Sequence, residues 1–197
     1  MNEIRPIETL YNGYRFRSRL EARWAVFFDK LSVPYIYEPE GYELGDGIRY
    51  LPDFWLPTWD RWVEIKPKLD EQNRRRAVDL LAALSGATGK IGLLFAGDVW
   101  PARTQILAVD DGGVYSDYTR IAECRRCDGL CLLKTMDDGD DDGTGSFGWG
   151  EVGPHTCRDH EHWPVENTER VMAAYRAARG ARFEFRRRDV DRGQSHG

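Results

Sequence analysis

YLPDFWLPTWDRWVEIKP, residues Tyr50 to Pro67, has the alternating apolar pattern of two strands joined by a short turn. Its charges are out of keeping with that pattern. Asp53 stands among Leu51, Phe54, Trp55 and Leu56, and Glu64 and Lys66 stand among Trp62, Val63 and Ile65. Successive strand side chains point to opposite faces, so Glu64 and Lys66 share one face and Val63 and Ile65 the other. Folding the ribbon about Thr58 and Trp59 sets position 53 opposite position 64. With no glycine in Pro57 to Asp60, a turn longer than two residues is expected.

Directly opposed strand residues have Cβ atoms about 4.5–5.5 Å apart, and like charges there are destabilising. A divalent cation would neutralise the pair, and Mg²⁺ prefers a few carboxylate oxygens plus water. Lys66, on the face of Glu64, would bring an ammonium to orient a water or steady charge on a phosphate. A metal, two carboxylates and a lysine make a site that hydrolyses phosphodiesters. The plainer alternative is a surface hairpin with one solvated polar face and a Glu64–Lys66 pair.

Upstream, RSRLEARWAVFFDKLSV spaces Leu20, Trp24, Phe27, Phe28 and Leu31 as one helical stripe. Ser18 is a good N-cap, so a helix is expected over Arg19 to Leu31, ended by Pro34. Strands are expected at Tyr35–Glu38, near Gly41–Leu44, at Tyr50–Leu56 and at Arg61–Lys66, with a turn at Gly45–Gly47. Downstream, Ala77, Leu80, Leu81 and Leu84 give a second helix an apolar face, and Gly86 or Gly89 stops it. KIGLLFAG, Lys90 to Gly97, suits a fully buried strand, and a hairpin turns around Asp110–Gly113. Asn167 to Gly180 reads as a third helix. No internal repeat is present.

The chain has 197 residues, 41% hydrophobic and 31% charged, with a mean hydropathy of −0.61. That composition can bury a core and is neither membrane-like nor disordered. No apolar run approaches the roughly 20 residues of a bilayer span, and no signal layout opens the chain, so a cytoplasmic protein with no membrane partner is expected. In that compartment the four cysteines are thiols or metal ligands rather than disulfides. The net charge of −5 does not decide for or against nucleic acid, because basic clusters (Arg15, Arg17, Arg19 and Arg23; Arg74 to Arg76; Arg186 to Arg188) stand apart from the aspartates of Asp137 to Asp142.

Pro52-Asp53 followed by Glu64-Ile65-Lys66 resembles the PD-(D/E)XK nuclease signature. The context strengthens it: a helix carrying Glu21 precedes the motif, a strand at YEPEGYEL intervenes, and an amphipathic helix and buried strand follow. This αβββαβ order over about residues 10–110 is similar to the core of transposon-end endonucleases, very-short-patch repair endonucleases and phage-type junction resolvases. The resemblance implies an α/β, restriction-endonuclease-like fold with a mixed central sheet flanked by helices. It implies that Asp53 and Glu64 bind Mg²⁺ (or Mn²⁺), with the Ile65 carbonyl as a third protein ligand, and that Lys66 positions the attacking water. Glu21 would complete the acidic set. Ser18-x-x-Glu21 is also a capping box, a purely structural role for the same side chain.

Arg15, Arg17 and Arg19, with Gln72, Arg74 and Arg75 on the next helix, suit phosphate contacts, or are solvated helix starts. Trp55, Trp59 and Trp62 are expected in the core rather than stacked on bases.

Beyond Ala122 the composition shifts to Cys, His, Gly and Asp. Cys124-x₂-Cys127 and Cys157-x₂-His160, about 30 residues apart, read as a structural Zn²⁺ site, with Cys131, His155 or His162 as alternative ligands. Asp138 to Gly143 begins like a calcium loop, but its twelfth position is Trp149 rather than Glu. The expected organisation is a nuclease-like domain over 1–120, a zinc-binding lobe with the third helix over 121–187, and a frayed tail over 188–197. The expected function is Mg²⁺-dependent cleavage of DNA. Cutting both strands usually needs two sites, which makes a homodimer an expected assembly. A non-catalytic nucleic-acid-binding module on the same fold is the alternative.

Overall fold

The computed structural model describes residues 6–68, 70–116, 119–124, 129–134 and 165–183. Among these described residues three helices and a mixed central sheet make an α/β fold. In chain order the elements are β1 (Thr9–Tyr11), β2 (Tyr14–Phe16), α1 (Arg19–Lys30), β3 (Ile36–Tyr37), β4 (Tyr42–Glu43), β5 (Arg49–Tyr50), β6 (Phe54–Leu56) and β7 (Arg61–Lys66). There follow α2 (Glu71–Thr88), β8 (Gly92–Gly97), β9 (Thr104–Asp110), β10 (Gly113–Ser116), β11 (Thr119–Glu123), β12 (Leu130–Lys134), β13 (Val165–Glu166) and α3 (Glu169–Gly180).

The central sheet has the order β10-β9-β8-β7-β6-β3. Its one parallel pair, β7 with β8, flanks the α2 crossover, as a strand–helix–strand unit requires. The other neighbours run antiparallel. The expected helix, three strands, helix and strand are therefore present as α1, β3, β6, β7, α2 and β8, around a hairpin of β4 and β5 that forms a separate small sheet.

Alternation along β6 and β7 separates two apolar layers. Phe54, Leu56, Val63 and Ile65 face α1 and α3, in one buried cluster with Trp24, Phe27, Phe28 and Phe95. Trp62, with Trp55 beside it, faces Ala77, Leu81 and Leu84 of α2. Trp59 is buried in the first layer, and Trp55 and Trp62 pack ring to ring at 4.4 Å. Trp59 and Trp62 are thus core groups, as expected, and Trp55 is half-buried against Trp62.

α1 begins where the capping signal lies: Ser18 Oγ accepts the Glu21 amide, and Leu31 is the C-cap. It is buried over more than the single stripe read from the sequence, Ala22, Ala25 and Val26 included. The reason is α3, which covers α1 from the other side and sets Tyr175 against Phe27 at 4.5 Å. α2 is capped by Asp70, whose side chain accepts the Asn73 amide, and ends at Gly89 in the left-handed conformation (φ 66°).

The structure departs from the sequence reading in four further places. The run Tyr50–Leu56, read as one strand, is broken at Leu51–Asp53. Pro52 has no amide to donate to a ladder, Tyr50 pairs with Tyr42, and Phe54 pairs with both Tyr37 and Val63. A hairpin of β1 and β2 was not foreseen, although Asn12-Gly13 is the strongest two-residue turn signal; both have positive φ (47° and 81°). The segment after Ala122, where the composition shifts to Cys, His, Gly and Asp, contributes Leu130 and Leu132 of β12 to the core of α1. α3, grouped by the sequence with the zinc lobe, puts Val171, Ala174, Tyr175 and Ala178 into that same cluster. Arg170, at its start, donates to Glu123 of β11 (2.8 Å) and to the Leu31 carbonyl (3.1 Å). The 188–197 tail lies outside the described residues.

Candidate active site

The register of β6 on β7 is Phe54 with Val63, Trp55 with Trp62 and Leu56 with Arg61. The next pair in that register is Asp53 with Glu64, as folding about Thr58 and Trp59 predicts. The backbone ladder stops at Phe54, and Asp53 continues it with its side chain: Oδ2 accepts the Ile65 amide at 2.7 Å. Both carboxylates lie below the surface, Asp53 2% and Glu64 6% exposed. The solvated-hairpin reading is therefore overturned for these two residues.

Each carboxylate has one oxygen on a neutral donor and one on a cation. Asp53 takes the Ile65 amide on Oδ2 and the Arg17 guanidinium on Oδ1 (2.6 Å). Glu64 takes the Tyr50 hydroxyl on Oε2 (2.8 Å) and the Lys66 ammonium on Oε1. The neutral donors belong to the fold and set the orientation of each carboxylate. Burial, then the nearby charges of Glu64 and Glu21, push the Asp53 carboxyl well above the usual carboxylate range. Burial and the Glu64 carboxylate push the Tyr50 hydroxyl up as well, so it stays a donor.

Glu21 lines the same cleft but is also engaged as a cap. Its carboxylate accepts the Ser18 hydroxyl (2.7 Å), the Tyr37 hydroxyl (2.6 Å) and the Arg17 amide (3.2 Å). The cap is made from the serine side, Ser18 Oγ accepting the Glu21 amide, while the Glu21 carboxylate takes the Arg17 amide one residue before the N-cap and stays on the cleft. Tyr37 is held neutral by burial and by Glu21, both raising its pKa.

The cleft has a volume of about 570 Å³. Arg17, Glu21, Asp53, Glu64, Ile65 and Lys66 line one side. Asn73, Arg76, Ala77 and Leu80 of α2 line another, at the i, i+3, i+4, i+7 spacing of one helix face. Of the basic residues proposed from sequence, Arg17 is in the cleft. Arg15 is exposed on β2, 3.6 Å from Glu8, and Arg19 is half-buried at the start of α1. Arg75 and Gln72 line a neighbouring groove with Leu44 and Ile48, and Arg74 is half-buried on α2. Helical phase turns Arg76 to the cleft, a signal available in the sequence. Tyr50 and Tyr37 had no such signal.

The donor set suits a hard cation. Asp53 and Glu64 offer carboxylate oxygen, and each has one oxygen that no neutral donor holds. In an extended strand the N–H and C=O of a residue project to the same edge, so Ile65 turns its carbonyl toward the edge where Asp53 accepts its amide. Among the described residues no three His, Cys, Asp or Glu side chains already close around one point. Of the zinc set, Cys127, Cys157, His155, His160 and His162 lie outside the described residues. Cys124 is buried at the end of β11, its amide donating to Gly129 at 2.8 Å, and Cys131 is buried on β12.

No family model, characterised protein or solved structure matches the chain. No helix among the described residues is long and apolar enough to cross a membrane.

Proposed function

We propose that the protein is a metal-dependent endonuclease of the PD-(D/E)XK type that hydrolyses DNA phosphodiester bonds. The supporting observation is the meeting of Asp53, Glu64, Lys66 and the Ile65 backbone in one cleft with Arg17 and Arg76. Asp53 and Glu64, with the Ile65 carbonyl, would hold Mg²⁺ or Mn²⁺. Such an ion, when bound, supplies charge neutralisation at the phosphate and a more acidic water. The chain's own residues do the rest. Lys66, paired with Glu64, orients the nucleophile and offers a positive charge to the phosphate. Arg76 and Arg17 bind neighbouring phosphates. Zn²⁺ on Cys124, Cys127, Cys157 and His160 is the proposed structural cofactor, and zinc content measured by elemental analysis of the purified protein tests it.

One observation favours a non-catalytic DNA-binding or assembly module instead: Arg17 and Lys66 already satisfy Asp53 and Glu64 as ion pairs. Supercoiled plasmid and a four-way junction, incubated with protein in Mg²⁺ or EDTA beside Asp53→Ala, separate the two. Metal-dependent cutting lost in the variant is the expected result. No cutting, with equal DNA binding by both proteins, establishes the module.

A further inference from the structure

We infer that Arg17 is a positioning residue that holds Asp53 in the absence of metal and is released to a DNA phosphate when metal binds. The inference rests on the proposed metal site. Arg17 has a fixed backbone and a movable head. Its amide donates both to Glu21 (3.2 Å) and to the Tyr37 hydroxyl (2.9 Å), which pins the residue between β2 and α1. Its side chain is 54% exposed, and its guanidinium spans two carboxylates, Nη2 on Asp53 Oδ1 at 2.6 Å and Nε on Glu38.

Asp53 Oδ1 is the oxygen that the fold leaves to a cation, since Oδ2 is committed to Ile65. A metal and the guanidinium compete for that oxygen. Glu38 gives the displaced arginine somewhere to stay. It is held at a positive φ of 44°, uncommon for a residue with a side chain, and its amide donates to the Asp53 carbonyl at 3.0 Å. Arg17 can therefore leave Asp53 without leaving the cleft, with its Nη groups free for a phosphate. The second cation, Lys66, sits on Glu64 and shares neither anchor.

The prediction is a pair of effects with opposite sign. Mn²⁺ affinity of the full chain, read from the free-Mn²⁺ electron paramagnetic resonance signal, rises roughly three- to tenfold in Arg17→Gln, the weight of one partly exposed ion pair. Affinity for a fluorescein-labelled DNA duplex in Ca²⁺ falls by a similar factor in the same variant. Damage to the fold would lower both. Arg76→Gln is the control, since it removes the same charge from the cleft without touching Asp53, and it leaves Mn²⁺ affinity closer to wild type. Unchanged or weaker Mn²⁺ binding in Arg17→Gln, or an equal rise in Arg76→Gln, overturns the inference. If the wild type still cuts DNA in Mg²⁺, the nuclease reading survives that result. If wild type and Arg17→Gln bind no Mn²⁺ and cut nothing, both readings fall together.

Discussion

Asp53 and Ile65 are joined across the hairpin by a side chain rather than by a backbone ladder: Asp53 Oδ2 accepts the Ile65 amide at 2.7 Å, one step beyond the last β6–β7 pair. This bond holds a carboxylate in the interior. It orients Asp53 toward the cleft, while Arg17 on Oδ1 supplies the countercharge.

Asp53→Asn is expected to lower DNA cleavage at least about a hundredfold while stabilising the protein at neutral pH. Asn keeps an oxygen for the Ile65 amide and removes a charge that burial, Glu64 and Glu21 all disfavour. The folded carboxyl titrates above its unfolded value of about 3.9. Its favourable contribution is therefore complete below that value and is lost as pH rises through the raised one. The melting temperature of the variant relative to wild type should climb from pH 4 to pH 7, reaching a gain of about 1 kcal/mol, or roughly 2–4 °C. Calorimetry across that range checks it, and a difference that shrinks with rising pH would count against the assignment.

Tyr50→Phe removes the neutral donor of Glu64 Oε2 and leaves a buried carboxylate oxygen unmet. The expected loss of stability is about 1–3 kcal/mol, measured by urea unfolding. Cleavage should fall about tenfold through kcat, because Glu64 loses its orientation rather than its charge.

Glu21 can be separated into its two roles. Ser18→Ala breaks the cap from the serine side and should cost about 1 kcal/mol with little change in cleavage at saturating metal. Glu21→Gln keeps an acceptor for the Arg17 amide and removes the charge beside Asp53. Its stability should stay within about 0.5 kcal/mol of wild type while cleavage falls at least about tenfold. Equal cleavage in Glu21→Gln and wild type would leave the residue as a cap alone.

Phe28 is fully buried, with its ring among those of Trp24, Phe54, Trp59 and Phe95. Phe28→Ala should cost about 3–5 kcal/mol of unfolding free energy by denaturant titration. It joins α1 to β6 and β8, so a loss below 1 kcal/mol would mean that the two layers do not pack as described.

Local rules were enough for the helix caps, the buried strand and the register of the central hairpin. Ser18 and Asp70 cap their helices from positions visible in the sequence. The central run of Gly92–Gly97 is buried as its unbroken apolar pattern requires. The period of two along Phe54–Leu56 and Arg61–Lys66 sets Asp53 and Glu64 on one face, because a one-residue slip would drive both aromatic rows to the wrong layers. Such features depend on neighbours a few residues apart, and sequence shows those directly.

Tertiary structure decided what the carboxylates touch. Arg17 reaches Asp53 over 36 positions and Tyr37 reaches Glu21 over 16. Tyr50 reaches Glu64 only because Pro52 and Asp53 break the expected long strand and turn β5 into a separate hairpin. The width of the buried arc on α1 likewise waited on α3, which packs against it from more than 130 residues away. Patterns of apolar spacing specify which face is buried; they carry no record of which polar group from a distant element meets a given charge once water is excluded, and at this site those meetings set the protonation, the orientation and the competition for each oxygen.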